Sequence, residues 1–151
     1  MDWADNPEVL TIEPSAELAK RDPRRLRMLM DRAADLVREH ELKAVFVGIA
    51  GKEGDLLAPE FIAFVESALR VEDCVFSMTR ERAVLLLTDV SGAQAESILS
   101  RVSGDFRDRF PSSTELDIQV RFHEVSGPTA HPTAKEILPL LFSQGKSLQL
   151  S

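Results

Sequence analysis

Two short apolar runs, Cys74 to Met78 and Ala83 to Leu87, flank the charged segment Thr79-Arg80-Glu81-Arg82. Four residues leave room for little but a tight turn, so the runs are expected to pair as a β-hairpin. That hairpin constrains the chain more than any other feature, because it sets two adjacent antiparallel strands mid-sequence and the other elements must build outward from it. Upstream, Leu42-Lys43-Ala44-Val45-Phe46-Val47-Gly48-Ile49 reads as a mostly buried strand. Downstream, Leu116, Ile118, Val120 and Phe122 alternate with Asp117, Gln119, Arg121 and His123, which predicts a strand with one dry and one wet face.

Helical patterns fill the gaps. Asp22 suits an N-cap and Pro23 a first helical position, followed by an apolar stripe of Leu26, Leu29, Met30, Ala33 and Val37. Arg24, Arg25, Arg27, Asp31, Arg32 and Arg38 fall on the other faces. Pro59 opens a second helix with Phe61, Ile62, Val65, Ala68 and Leu69 inward, and Ala93 to Val102 forms a third. Ala134 to Phe142 suggests a last helix, which Pro139 should kink or shorten. The centre of this order is βαββαβ: an α+β, ferredoxin-like core, a mostly antiparallel sheet with helices on one face. Residues 1–20, with Pro7 and Pro14 and no sustained period, are expected to be an irregular N-terminal arm. Residues 21–144 then form the domain and 145–151 a flexible tail.

Composition excludes several function classes. The net charge of −7 argues against nucleic acid or an anionic membrane as partner, since both attract basic surfaces. No apolar stretch approaches the roughly 20 residues of a membrane span, and Met1-Asp2-Trp3-Ala4-Asp5 lacks the layout of a signal peptide, so a cytoplasmic protein is expected. Cys74 has no second cysteine to pair with, and His40, His123 and His131 show no metal-ligand spacing, so neither metal nor cofactor is expected. The basic cluster Lys20, Arg21, Arg24, Arg25 and Arg27 reads as the solvated face of a helix, diluted by Asp22, Asp31 and Asp35. Ser91-Gly92, Ser103-Gly104 and Ser126-Gly127 are turn or cap signals, and His123 with Asp117 and Glu124 makes no catalytic triad.

Ala68-Leu69-Arg70-Val71-Glu72-Asp73, followed by the hairpin, resembles the middle of GGDEF-family diguanylate cyclases. Those proteins read LRxxD, then the GGDEF turn, then an apolar strand. Laid on this chain, the GGDEF positions fall on Thr79-Arg80-Glu81-Arg82-Ala83, and Gly54-Asp55 matches the family's upstream Gly-Asp. The resemblance is ungapped over residues 54–87 and fits the topology from about residue 22 to 143. Family enzymes join two GTP molecules with the help of two metal ions, which needs carboxylates at the first strand's end and in the turn. The turn also needs glycines that let backbone approach phosphate. Here the first strand ends Val47-Gly48-Ile49-Ala50, Thr79 and Arg80 replace both glycines, and Arg82 stands where the signature has its glutamate. Only Glu81 keeps a carboxylate, and the FKxxND stretch is missing. The expectation is therefore no catalytic residues and no cyclase activity.

Arg70 and Asp73 coincide with the family's RxxD inhibitory site, which the resemblance implies as a cyclic di-GMP site. A guanidinium offers a planar fork to phosphate and guanine acceptors, and a carboxylate accepts from the guanine N–H edge. Arg101, at the right distance along the chain, is the candidate second arginine. The same pair also fits a plain ion pair at a helix end. Three hypotheses follow. The first is an inactive GGDEF-like signalling domain that binds cyclic di-GMP through Arg70, Asp73 and Arg101. The second is a nucleotide-independent module for homodimerisation or docking to a signalling protein. The third, a nucleotide enzyme of altered chemistry, ranks last. A bacterial signalling context is implied by the resemblance alone.

Overall fold

The strand with no polar face is the one around which the rest assembles. In the structure, a computed structural model that describes residues 22–110, 117–142 and 148–149, β1 (Ala44–Ala50) is the middle strand of five. It pairs antiparallel with β3 (Arg82–Thr88) on one side and with β4 (Gln119–Val125) on the other. β2 (Cys74–Thr79) closes the hairpin on β3, and β5 (Leu148–Gln149) pairs with β4, giving the order β2-β3-β1-β4-β5. α2 (Leu57–Ser67) joins β1 to β2 and α3 (Gly92–Arg109) joins β3 to β4, completing the ferredoxin-like βαββαβ core.

Alternation along β1 sends its side chains into two apolar layers. Val45, Val47 and Ile49 join Leu85, Leu87 and Val120 beneath Phe61 and Val65 of α2 and Leu99 and Phe106 of α3. Ala44 and Phe46 join Phe76, Val84, Leu86 and Val125 on the opposite face. That second layer is covered by α1 (Pro23–Glu39) and α4 (Ala134–Phe142). The two core helices thus share one face as expected, and the flanking pair covers the other. The physical reason lies in Val84-Leu85-Leu86-Leu87: consecutive apolar residues on a strand demand cover on both sides.

The same two-sided cover corrects the wet face expected of β4. Arg121 and His123 are half-buried against α4, and Arg121 donates from Nη1 to the Leu140 carbonyl at 3.3 Å. α4 lies close because β1 has a glycine beneath it. A Cβ on Gly48 would stand 2.7 Å from Leu141 Cβ and 3.2 Å from the Leu141 carbonyl oxygen.

Local signals explain most boundaries. The Asp22 carboxylate accepts the Arg24 N–H at 2.9 Å and Pro23 takes the first helical position, where its missing donor is harmless. α2 begins at Leu57, two residues before Pro59, because the Asp55 carboxylate accepts the Leu57 N–H at 2.8 Å. α3 starts in a capping box, with Ser91 and Gln94 each bonding the other's backbone N–H at 3.2 and 2.8 Å. It runs past Val102 to Arg109, since Phe106 extends the buried stripe. α4 continues through Pro139 to Phe142, so the expected shortening does not occur and the proline forgoes one backbone bond inside the helix.

Within the stretch expected to be a flexible tail, Leu148 and Gln149 pair with Val120 and Gln119. The expected arm over residues 1–20, Leu116 and the rest of 145–151 lie outside the described residues. Among the described residues no helix is long and apolar enough to cross a membrane.

Candidate functional site

α2 gives way to a turn that brings Arg70 and Asp73 together. The Asp73 N–H donates to the Arg70 carbonyl at 3.0 Å, and the Arg70 N–H returns a bond to Asp73 Oδ2 at 3.1 Å. The side chains then pair through both oxygens, Arg70 Nε to Oδ2 and Nη2 to Oδ1, each at 3.1 Å. Thr88, the last residue of β3, donates its N–H to Asp73 Oδ1 at 3.1 Å, and its carbonyl accepts from Arg70 Nη2. Only 4% of the Asp73 side chain is exposed, against 44% for Arg70. The pair therefore latches the end of α2 to the end of β3.

Both oxygens of Asp73 already have donors, so as folded its carboxylate holds Arg70 and does not stand open to a guanine edge. The outer nitrogen of Arg70, Nη1, faces the half-exposed Glu72 carboxylate at 3.5 Å. Hydrogen bonding to Asp73 raises the Arg70 pKa further above its ordinary value. Partial burial works against this, and the charges of Asp73, Glu72 and Asp89 assist, so the guanidinium stays charged at any working pH.

Arg101 lies on the exposed face of α3, on the opposite side of that helix from Leu99, Val102 and Phe106. No hydrogen bond or ion pair joins it to Arg70 or Asp73. The arginine that reaches this turn is Arg32 of α1, whose Nη2 donates to the Glu72 carbonyl at 3.2 Å. Arg25, on the same helix, donates from Nε to the Val75 carbonyl on edge strand β2 at 2.8 Å. Neither contact is visible in the sequence, where the partners stand 40 and 50 residues away.

The β2–β3 turn, which carries the GGDEF positions, is tied to the β1–α2 loop. Glu81 accepts the Gly54 N–H on Oε2 at 3.2 Å, and its backbone carbonyl accepts the Gly51 N–H at 2.8 Å. Thr79 supports it from within the turn, its hydroxyl accepting the Glu81 N–H at 3.2 Å. Lys52, on the same loop, pairs with Asp117 at 3.2 Å, and the Arg82 guanidinium lies 5.5 Å from the Phe142 ring centre. Among the described residues, no three of histidine, cysteine, aspartate and glutamate come together as metal ligands. Two histidines that look unrelated in sequence, His123 and His131, line one polar cavity of about 240 Å³ with Glu124 and Glu136.

No protein-family model matches the chain, and no curated protein sequence does. Solved structures do. The chain is similar to PelD 158-CT from Pseudomonas aeruginosa PAO1, with a TM-score of 0.54 and 22% identity over 71% of this chain. It spans only 39% of that PelD chain. It is also similar to a DGC protein from Thermotoga maritima, with a TM-score of 0.52 and 16% identity, over 75% of this chain and 86% of that one. Identities this low speak to architecture alone. The antiparallel sheet flanked by four helices is a GGDEF-like fold.

Proposed function

We propose that this chain is a GGDEF-like signalling domain that binds cyclic di-GMP and does not make it. The observation that carries the reading is the Arg70–Asp73 latch. Asp73 and Thr88 hold one edge of the guanidinium in place, while Nη1 points outward with the half-exposed Glu72 carboxylate 3.5 Å away. An arginine fixed in this way presents donors to phosphate or guanine without first losing rotamer freedom, which lowers the cost of binding. No cyclase chemistry is expected of these residues. β1 ends in Gly48-Ile49-Ala50 with no carboxylate, and Thr79 and Arg80 occupy the glycine positions of the turn. The one retained acid, Glu81, is already bonded to Gly54. Similarity to a DGC protein does not weigh against this, because one fold hosts many activities.

Two measurements test the reading. Pure protein incubated with GTP and magnesium should form no cyclic di-GMP, and product above the buffer control would sink the non-enzymatic half. Calorimetric titration with cyclic di-GMP should show micromolar or tighter binding, about −8 kcal/mol or better. Arg70→Ala should weaken that binding at least about tenfold. Absence of both heat and thermal shift at saturating ligand would end the receptor reading and leave docking to a protein partner as the function.

A further inference from the structure

A cyclic dinucleotide carries two phosphodiester anions, and Arg70 alone is poorly placed to attract them. Three carboxylates, on Asp73, Glu72 and Asp89, act on its guanidinium, so the turn around it is net negative. A binding site here needs another cation, and the fold supplies one from the opposite face of the sheet.

α1 lies alongside edge strand β2 with its arginines in register. Arg25 and Arg32 are seven residues apart and share a face of the helix, separated by about 10.5 Å along the axis. Their acceptors are the carbonyls of Val75 on β2 and of Glu72 in the turn that precedes it. The reversed order makes α1 antiparallel to this segment. Arg25 is partly buried and committed to the strand edge. Arg32 is exposed, with one bond to the Glu72 carbonyl that leaves most of its five donors open. Glu72 is where the two cations meet. Arg32 touches its carbonyl and Arg70 Nη1 lies near its carboxylate.

We infer that Arg32 is the second arginine of the ligand site, so that bound cyclic di-GMP spans Arg70 and Arg32 and fastens α1 to the turn after α2. The inference rests on the reading of this turn as a cyclic di-GMP site. It assigns to α1 the cationic role that chain distance suggests for Arg101. It also makes α1 the element through which occupancy is felt, because the ligand then bridges α1 and the turn, which are joined by the Arg32 bond to the Glu72 carbonyl.

The test is a calorimetric titration of the full chain with cyclic di-GMP, comparing wild type, Arg32→Ala, Arg32→Lys, Arg70→Ala and Arg101→Ala. Arg32→Ala should weaken binding at least about tenfold, Arg32→Lys should recover part of the loss through its charge, and Arg101→Ala should stay within about twofold. Ligand should also slow amide exchange in the second half of α1 in wild type and not in Arg32→Ala. Binding by Arg32→Ala within about twofold of wild type, while Arg70→Ala loses it, would overturn the assignment and leave the receptor reading intact. A loss carried by Arg101→Ala in its place would do the same. A wild type that binds nothing would remove both.

Discussion

Gly48→Val should destabilise the protein by about 3 kcal/mol, the upper end of what overpacking a core usually costs. Two effects of opposite sign meet at this position. Glycine within a strand is unfavourable by about 0.5–1 kcal/mol, so a side chain there would ordinarily help. Against that, the Cβ alone would press to 2.7 Å from Leu141 Cβ, and the γ-methyls of valine would extend further toward α4. Leu141 is fully buried and cannot swing aside, and the contact with its carbonyl oxygen involves backbone. The helix must therefore lift from the sheet, loosening the layer that holds Phe46 and Val84. Urea or thermal unfolding measures this, and a midpoint lowered by roughly 6–12 °C is expected for a domain of this size. A change below about 0.5 kcal/mol would mean that α4 does not rest on β1 at this glycine.

The second large effect is expected from Asp73→Ala, at about 3 kcal/mol. The carboxylate is nearly inaccessible, and its loss strands the buried Thr88 N–H, while the exposed Arg70 backbone N–H can turn to water. Each buried donor left without a partner costs about 1–3 kcal/mol. The ion pair adds less than a fully buried one would, because the Arg70 guanidinium is close to half exposed. Arg70→Ala should accordingly cost only about 1 kcal/mol, since Asp73 keeps its two backbone donors. The asymmetry is the test. Equal and small losses in a chemical denaturation series would mean that the latch is not formed in solution. If the asymmetry holds, Arg70→Ala can be used to read ligand binding without disturbing the fold, and Asp73→Ala cannot.

Features that depend on near neighbours were legible in the sequence, and features that depend on distant ones were not. Asp22-Pro23 announces the start of α1 because cap and first turn are adjacent residues. The hairpin and the buried run of β1 are likewise local patterns, and together they yield the βαββαβ order. Arg70 and Asp73 can be found three residues apart, but Thr88, which makes their pairing a latch, stands 15 residues beyond Asp73. Gly48 reads as an ordinary strand position until α4, more than eighty residues later, is laid over it. Arg32 reads only as a residue off the apolar stripe of its helix, since periodicity says which residues face outward and nothing about what an outward arginine can reach. The second apolar layer was hidden for a related reason. Apolar residues at consecutive positions signal burial on both sides of a strand without saying which helices supply it.

Because β1 serves as the partition between two apolar layers, neither layer is free to melt by itself. Lifting α1 and α4 bares one side of the strand, and lifting α2 and α3 bares the other. In each case the exposed surface belongs to the same seven residues that carry the hydrogen bonds to β3 and β4. Loss of one side thus weakens the support of the other, which favours a single cooperative transition over stepwise opening. A domain built this way transmits a disturbance at its rim as a change in the stability of the whole. A clasp on α1 would then be felt across the entire sheet.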